Sequence, residues 1–317
     1  MSVDYKIGII GLGSIATRHL HNIVEVLGKK GCTYSIDVIR SGRGGAIGNE
    51  ILPNIANIYY AYEQVPDDYD ILFITNPTSF HYATIKQYVS KTKHMFIEKP
   101  VFDSSSLSLQ ELNLDPNMTY YVACPLRYSQ VVQYMKTQYD LTNVYSVRAI
   151  CSSYLPEWRP PQDYRKSYSA HKEFGGGVSI DLIHEWDYLI YLLGFPEQVT
   201  NIRGTFSNLE INSDDLSIYI AKYPNLTVEI HLDYFGRIPI REIQLFSSDD
   251  TIVGDLLKNE IRYLKTGKTI HFEESRNDYQ RKEIEQFFSV LEGTSENTNT
   301  IAAALKTLCI ATKGVME

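Results

Sequence analysis

Two separate groups of residues have the types needed for acid–base chemistry. Lys99 stands in the tripeptide Glu98-Lys99-Pro100, directly after an apolar run, and Asp181 and His184 follow three consecutive glycines. A lysine shielded from water is easier to deprotonate, and a carboxylate beside an imidazole can orient it as a general base. Both groups therefore indicate proton transfer. Each taken alone also fits a plainer reading: a surface turn at Lys99, and a capped helix with a buried histidine at His184.

The glycines at 175–177 permit a tight entry into a helix. We predict one helix from Gly177 to Leu193, closed by Gly194 and Pro196. Asp181 and His184 would then lie three residues apart on one face of that helix.

A glycine-rich turn near the N-terminus points to a dinucleotide. The run from Gly11 to Ala16 fits G-x-G-x-x-G/A, between a strand pattern at Tyr5 to Ile10 and a helical pattern at Ala16 to Leu27. The glycines let the backbone approach a pyrophosphate, which the helix N-terminus then holds. The alternative is a tight strand-to-helix turn without a ligand.

The end of the second predicted strand, Tyr34 to Ile39, bears on the choice between NAD and NADP, because an acidic residue there binds the ribose 2′-hydroxyl. The strand is followed by Arg40, Ser41 and Arg43, and Asp37 lies too early within it. The positive charges of Arg40 and Arg43 favour NADP over NAD, because NADP carries a 2′-phosphate. The alternative is that they are solvated loop arginines.

A polar loop with Thr75, Asn76, Pro77 and His81 follows the next apolar strand, Asp70 to Thr75. Loops at the carboxyl ends of such strands face the ligand crevice. A catalytic role for His81 is possible in principle, but a histidine at this position more commonly lies at the start of a helix or packs against its neighbours.

The order of the predicted elements indicates the fold class. Strand and helix patterns alternate in the first part of the chain, which predicts α/β architecture with a doubly wound parallel sheet of the Rossmann type. After about residue 125, alternating runs such as Leu216 to Ala221 and Thr227 to Tyr234 follow without helices between them. They indicate an α+β domain with a large, mostly antiparallel sheet. The expected domains are residues 1–124 and 125–317.

Composition argues against several classes of partner. The formal net charge of −8 disfavours nucleic acid and anionic membranes as partners. No apolar run reaches the roughly 18 residues of a membrane helix, and the N-terminus lacks a secretion-signal pattern, so we expect a cytoplasmic protein. The four cysteines are far apart, and H-E-x-x-H is absent around His184. We therefore expect reduced thiols and no metal site.

Taken in order, these motifs resemble the glucose–fructose oxidoreductase, inositol dehydrogenase and MocA family (Gfo/Idh/MocA) over nearly the whole chain. Arg127 falls where the family often has an arginine after the last Rossmann strand. One feature departs from the family pattern. Many members place the aspartate four residues before the histidine, whereas Asp181 precedes His184 by three, so Glu185 or Asp187 is an alternative for part of its role.

The resemblance implies hydride transfer between nicotinamide and a carbon of a sugar, polyol or sugar derivative. It implies that Lys99 contacts both the nicotinamide ribose and a substrate hydroxyl, and that His184 is the acid/base supported by Asp181. It also implies that the open sheet of the second domain forms the interface of a homodimer or homotetramer.

The segment containing Trp158, Arg159, Tyr164, Arg165 and Tyr168 resembles a branch of this family associated with acidic-sugar or sugar-nucleotide metabolism. Trp158 can stack on a sugar or base, and the arginines can pair with a carboxylate or phosphate. The alternative is a surface loop with ordinary charges.

Two other functions stay open: a dinucleotide-bound sensor or regulatory protein without turnover, and a redox-neutral enzyme that retains its NAD. The predicted catalytic residues are Lys99, His184 and Asp181. The predicted cofactor-binding residues are Gly11, Gly13, Ser14, Ile15, Ala16, Arg40, Ser41, Arg43, Thr75, Asn76, Pro77, His81, Glu98, Lys99 and Arg127. The predicted substrate-binding residues are Lys99, Trp158, Arg159, Tyr164, Arg165, Asp181 and His184.

Overall fold

The computed structural model describes residues 4–42 and 45–314 of the 317-residue chain. The chain divides into two compact units. The first comprises the residues up to Ala123 together with Gln280–Leu305, and the second comprises Cys124–Tyr279 together with the residues from Lys306 onward. The linear division that we expected at residue 124 did not include the segment that returns to the first unit.

The first unit contains a six-stranded sheet in which every neighbouring pair is parallel. The strand order is β3-β2-β1-β4-β5-β6, which confirms the predicted Rossmann arrangement. The strands are β1 (Tyr5–Ile10), β2 (Tyr34–Ile39), β3 (Asn57–Tyr59), β4 (Tyr69–Ile74), β5 (Thr92–Ile97) and β6 (Tyr120–Val122). The helices that follow β1 and β4 are α1 (Ser14–Lys30) and α2 (His81–Tyr88).

The core of the first unit explains why residues from 280 onward belong to it. Leu20, Ile23 and Leu27 recur at helical spacing on α1 and are fully buried in the same cluster as the apolar residues of the strands. Phe287 joins this cluster and packs edge-on against Phe96, at 5.3 Å between ring centroids. These contacts are long-range, so a sequence pattern did not reveal them.

The second unit contains an eight-stranded sheet in the order β14-β13-β12-β11-β7-β10-β9-β8. Its neighbouring pairs are antiparallel, except that β10 runs parallel to β7, which confirms the predicted mostly antiparallel sheet. The strands are β7 (Val144–Tyr154), β8 (Gln198–Gly204), β9 (Leu216–Lys222), β10 (Thr227–Asp233), β11 (Phe235–Ser247), β12 (Thr251–Asp255), β13 (Glu260–Tyr263) and β14 (Thr269–His271). The other α-helices in the described part of the chain are α3 (Gln130–Gln138), α4 (Val178–Asp181), α5 (His184–Leu193), α6 (Arg276–Leu291) and α7 (Ile301–Lys313).

The single helix predicted from Gly177 to Leu193 is wrong, because α4 ends at Asp181 and α5 begins at His184. At the intervening turn, the N–H of Ile183 donates to a carbonyl only three residues back, so the regular helical hydrogen-bond pattern is interrupted. Asp181 and His184 therefore do not share one helix face. In residues 4–42 and 45–314, no helix combines the length and apolar character that crossing a membrane requires.

Candidate functional site

The carboxyl ends of three neighbouring strands in the first unit are joined by main-chain hydrogen bonds. The N–H of Thr75 donates to the last carbonyl of β1 at 3.0 Å, and the N–H of Glu98 donates to the last carbonyl of β4 at 2.9 Å. Gly11 directly follows β1, and Lys99 follows Glu98. The glycine turn, the polar loop and the Glu98-Lys99 pair thus lie side by side at the edge where such sheets bind ligands.

The turn before α1 leaves the start of that helix open. Gly11 has φ of +89°, and a Cβ there would lie 2.9 Å from the Cα of Asn76, so glycine is required. Gly13 stands at the N-cap, where no side chain caps α1 and no acidic residue occupies its first turn. A Cβ on Gly13 would meet no atom within 4 Å. The backbone N–H groups of this helix start are therefore available for an anion.

The next three residues of the predicted cofactor motif differ in accessibility. Ser14 is exposed, Ile15 is half-buried, and Ala16 is completely buried in the core of the first unit. Ala16 thus contributes to the packing of α1, and only Ser14 and Ile15 present side chains near the surface.

The polar loop after β4 contains a buried acceptor that is unpaired within the part of the chain that the structure describes. The Thr75 hydroxyl donates to the carbonyl of Ile10 at 2.9 Å, which fixes the loop on β1. The side-chain amide nitrogen of Asn76 donates to Thr84 at 2.8 Å, whereas its Oδ1 is buried without a hydrogen-bond partner. A buried unpaired acceptor calls for an explanation, and a donor from a bound ligand supplies one. Pro77 immediately precedes a short 3-10 turn.

His81 fixes this loop through its buried ring. Its side chain is 1% exposed, and its two ring nitrogens lie 2.9 Å from the carbonyl of Asn76 and 3.1 Å from the carbonyl of Val101. Burial lowers the pKa of His81, and its contacts with backbone carbonyls oppose this effect without cancelling it. The ring of His81 therefore lies between two backbone segments, with each of its nitrogens facing a carbonyl oxygen. The cofactor contact predicted for it stays a prediction.

Asp37 lies within β2, and its carboxylate is enclosed by hydrogen bonds. Asp37 is 1% exposed and accepts hydrogen bonds from Tyr69 and Asn57, both at 2.8 Å. Arg40 follows the strand, where Nη2 donates to the carbonyl of Gly45 at 2.6 Å. Ser41 is exposed. Arg43 lies outside the described residues.

At the end of β5, Glu98 is bonded through both carboxylate oxygens. Its Oε1 lies 2.5 Å from Nε2 of His19, and its Oε2 accepts the N–H of Lys99 at 3.2 Å. Burial opposes ionisation of Glu98, but the hydrogen bond with His19 and the positive charge of Lys99 outweigh it and lower the pKa of Glu98. The half-buried Lys99 thus stands beside a carboxylate. The sequence analysis did not single out His19.

In the second unit, Asp181 is surrounded by tyrosines. Its Oδ2 accepts a 2.5 Å hydrogen bond from the buried phenol of Tyr234, and its charge also acts on the phenol of Tyr168. Burial, followed by the charge of Asp181, raises the pKa of both phenols. Asp181 is 8% exposed and His184 is half-buried. The structure thus brings two tyrosines to Asp181 that the spacing of residues did not indicate.

The two carboxylates considered as substitutes for Asp181 each bind an arginine through both oxygens. Glu185 is completely buried and binds Arg241 at 2.6 and 3.1 Å. Asp187 binds Nε and Nη2 of Arg127 at 3.0 and 2.7 Å. Arg127 is itself only 3% exposed, so this ion pair is structural, and the cofactor contact predicted for Arg127 stays a prediction.

A surface pocket in the second unit contains most of the predicted substrate-binding segment. It encloses about 350 Å³, including the part open to solvent. Trp158 donates from Nε1 to Ser153 at 2.9 Å and packs edge-on against Tyr234, which connects the pocket wall to Asp181. The residues that line the pocket are Leu155, Pro156, Trp158, Arg159, Gln162, Tyr164, Ser167, Tyr168 and Ser169.

The two arginines predicted to bind substrate differ in their partners. Arg165 donates to Asp163 at 2.8 Å and to Glu210 at 2.7 Å on the protein surface. Arg159 lines the pocket, is exposed, and forms no ion pair within residues 4–42 and 45–314. Arg159 is therefore the better placed of the two for an anionic ligand.

The residues at the strand ends of the first unit fit a dinucleotide. An open helix start and a glycine with space beside it suit a pyrophosphate, and the Oδ1 of Asn76, which has no partner among the described residues, suits a donor from a polar ring. In the described part of the chain, no group of three or more His, Cys, Asp or Glu side chains is placed to hold a metal ion.

Comparison with known families identifies two segments of the chain. Residues 5–113 match the model of an oxidoreductase family with an NAD-binding Rossmann fold, whose designation is GFO_IDH_MocA. Residues 141–236 match the C-terminal alpha/beta domain of the same oxidoreductase family.

The individual proteins that this chain resembles have low sequence identity to it. The uncharacterized oxidoreductase YrbE of Bacillus subtilis is 28% identical over 208 residues, which cover 64% of this chain and 57% of the relative. A structure of levoglucosan dehydrogenase in complex with NADH and L-sorbose superposes with a TM-score of 0.80 at 15% identity, covering 97% of this chain and 94% of the other. The WlbA dehydrogenase of Bordetella pertussis, in complex with NADH and UDP-GlcNAcA, gives 0.75 at 16% identity, with coverage of 97% and 94%. At these identities the structural likeness concerns the fold alone.

Proposed function

The chain belongs to the Gfo/Idh/MocA oxidoreductase family, and on this premise we propose that it transfers a hydride between a nicotinamide dinucleotide and a hydroxyl or carbonyl carbon of a sugar, polyol or sugar derivative. The observation that carries the proposal is the row of joined strand ends in the first unit. There the open start of α1, the polar loop and Lys99 occupy adjacent positions.

The proposed cofactor site uses groups of the first unit. Gly11 and Gly13 give the backbone access to the pyrophosphate, and the N–H groups at the start of α1 bind it. Oδ1 of Asn76 accepts a hydrogen bond. When bound, the dinucleotide supplies the redox chemistry, while the protein supplies binding, orientation and proton transfer.

We favour NADP as the dinucleotide. Asp37 is already bonded to Tyr69 and Asn57 and is not available for a ribose 2′-hydroxyl. Arg40 and Ser41 follow the strand and offer a cation and a hydroxyl to a 2′-phosphate. The two structures compared above contain NADH, so the choice between the two dinucleotides is the first point to measure.

The proposed acid–base groups are Lys99 in the first unit and His184 with Asp181 in the second. The carboxylate of Glu98 accepts the main-chain N–H of Lys99 and thus lies next to this proposed proton donor. The phenol of Tyr234 holds the carboxylate of Asp181 in one orientation. A carboxylate fixed in this way can orient a substrate hydroxyl or an imidazole.

The proposed substrate carries a sugar ring, in agreement with the sugar compounds in the two structures compared above. The pocket offers the indole of Trp158 for stacking and the hydroxyls of Tyr164 and Tyr168 for hydrogen bonds. Arg159 adds a cation without a carboxylate partner in the described residues, which favours an acidic sugar or a sugar nucleotide. We also propose assembly as a homodimer or homotetramer through the open sheet of the second unit.

The experiment that tests this function has two stages. The protein is first titrated with NADPH and with NADH, and binding is followed by fluorescence. Neutral sugars, acidic sugars and nucleotide sugars are then screened for NAD(P)H turnover. We expect Lys99→Ala to lower turnover by at least about 100-fold, the low end of general acid–base effects. Lys93→Ala is the matched control, because Lys93 lies on β5, the strand that precedes Lys99, with its side chain 65% exposed.

Each outcome has a definite meaning. Binding without turnover of any compound would favour the sensor hypothesis, and slow cofactor release with no net change in NAD(P)H would favour redox-neutral chemistry. Unchanged turnover in a folded Lys99→Ala protein would remove Lys99 from the mechanism. Failure of a folded, cofactor-free preparation to bind either dinucleotide would contradict the proposal as a whole.

A further inference from the structure

His19 and Glu98 form a buried contact between α1 and the end of β5. The two residues are 79 positions apart in the chain, yet His19 Nε2 lies 2.5 Å from Glu98 Oε1. The imidazole is 1% exposed and the carboxylate 13%. A polar contact so well shielded from water requires good partners, because an unpaired buried charge would be costly.

The surroundings of His19 indicate which atom carries the proton. The ring packs against Phe96, at 5.0 Å between centroids, and against Phe73, at 6.0 Å. Its Nδ1 is buried and has no hydrogen-bond partner in the part of the chain described by the structure. A proton on Nδ1 would be a buried unpaired donor, so the neutral tautomer with the proton on Nε2 fits best. His19 then donates to an ionised Glu98.

The second carboxylate oxygen of Glu98 extends this contact to Lys99. Oε2 accepts the main-chain N–H of Lys99 at 3.2 Å, and the N–H of Glu98 is held by the last carbonyl of β4. The charged or titratable groups that face Glu98 are His19, Lys99 and His81, and together they outweigh burial and lower its pKa. The main chain at Lys99 is therefore held by a carboxylate whose orientation depends on His19.

We propose that His19 is a positioning residue for Lys99: it orients the Glu98 carboxylate, and Glu98 in turn fixes the main chain from which the Lys99 side chain extends. The proposal assigns Glu98 a role in the placement of Lys99, beyond the cofactor contact expected from the sequence. The proposal rests on the proposed function, because it takes Lys99 to be catalytic. The position of Lys99 can nevertheless be measured without any substrate.

The test compares His19→Leu, which removes the donor, with His19→Gln, whose amide nitrogen reaches about the position of Nε2. Amide hydrogen exchange of the full-length apoprotein reports on the N–H of Lys99, with the N–H groups of β1 as the internal control. The affinity for NADPH and NADH and the kcat of a substrate found in the screen are measured for the same proteins. Glu98→Gln is the second variant, to be used if His19→Leu fails to fold.

We expect His19→Leu to lose exchange protection at Lys99 while β1 keeps its protection. We expect kcat to fall by about 10- to 100-fold, the size of effect that a misplacement of about 1 Å produces, with cofactor affinity unchanged. His19→Gln should restore most of the exchange protection at Lys99 and most of kcat. Unchanged protection at Lys99 in folded His19→Leu, or loss of cofactor affinity at unchanged kcat, would overturn the proposal. If Lys99→Ala keeps full turnover, Lys99 has no part in the mechanism, and hydrogen exchange still decides whether His19 positions its main chain.

Discussion

The phenol of Tyr234 donates a 2.5 Å hydrogen bond to Oδ2 of Asp181, between the last residue of α4 and a residue that immediately follows β10. Both side chains are buried, at 0% and 8% exposure. The bond fixes the direction of a carboxylate next to the pocket that holds Trp158 and Tyr168. Asp181 is thus held in place by the sheet and does not depend on a shared helix face with His184.

This geometry predicts different effects for the two partners. Asp181→Asn removes the charge, and we expect kcat to fall by about 100-fold or more. Tyr234→Phe removes only one of the hydrogen bonds that orient the carboxylate, so we expect a smaller loss, of about 10-fold, equivalent to a net hydrogen bond of about 1.4 kcal/mol. Steady-state kinetics with the best substrate checks both values. Equal losses in the two variants would mean that orientation, and not charge, is the contribution of Asp181.

Gly13 allows cofactor binding to be separated from folding. Its φ of −90° suits alanine, and an added Cβ would meet no protein atom within 4 Å. We expect Gly13→Ala to fold with unchanged thermal stability and to lose dinucleotide affinity, because the methyl group occupies the space that the pyrophosphate needs. Fluorescence titration and a melting curve give the two quantities.

The matched control for Gly13 is Gly28→Ala near the other end of the same helix. Gly28 also has open space around its Cα. Alanine at a helical position should stabilise the fold by about 0.5–1 kcal/mol and leave affinity unchanged. Undiminished affinity in Gly13→Ala would contradict the proposed placement of the pyrophosphate.

Arg40 tests the preference for NADP. If its guanidinium binds a 2′-phosphate, Arg40→Ala should weaken NADPH binding by about 10- to 100-fold, the loss of a charged hydrogen bond of roughly 1.5–3 kcal/mol, and leave NADH binding unchanged. Arg40→Lys, which keeps the charge, should retain part of the preference. Parallel titrations with the two dinucleotides measure the ratio of the NADH and NADPH dissociation constants. A wild-type protein that prefers NADH would already refute the role of Arg40.

Arg159 tests the expectation of an anionic substrate. Arg159→Met keeps most of the side-chain volume and removes the charge, so KM for an acidic sugar or sugar nucleotide should rise by about 10-fold or more, with little change for a neutral sugar. Arg148→Met is the control, because Arg148 pairs with Glu229 on the surface with its side chain 45% exposed. The same increase in KM for charged and neutral substrates would assign Arg159 to packing around the pocket.

The ion pair of Arg127 with Asp187 predicts an effect on stability. The two side chains are 4% and 12% exposed, and Asp187 also accepts from the thiol of Cys124 at 3.0 Å. Asp187→Asn leaves a buried guanidinium without its charged partner, so we expect a loss of about 3–5 kcal/mol in the free energy of unfolding.

Denaturant unfolding measures the loss in Asp187→Asn, and the exposed pair of Lys29 with Glu25 provides the control. Its side chains are 62% and 39% exposed. We expect Glu25→Gln to change stability by about 0–1 kcal/mol. A similarly small effect for Asp187→Asn would show that water reaches Arg127.

The sequence by itself determined the parts of this protein that depend on local chemistry. The turn at Gly11 and Gly13 requires glycine geometry within a few residues, and the alternation of strands and helices reflects which face of each element is buried. Both the parallel sheet and the mostly antiparallel sheet could therefore be predicted, as could the position of Asp37 within β2.

Tertiary structure alone decided which distant groups meet. The contacts of His19 with Glu98 and of Arg127 with Asp187 join residues 79 and 60 positions apart, and no local pattern specifies such partners. The break between α4 and α5 could not be predicted from helical periodicity either, because apolar residues continue through it. In each case the free energy of burial and of pairing buried polar atoms selects the arrangement, and those terms exist only once the chain has folded.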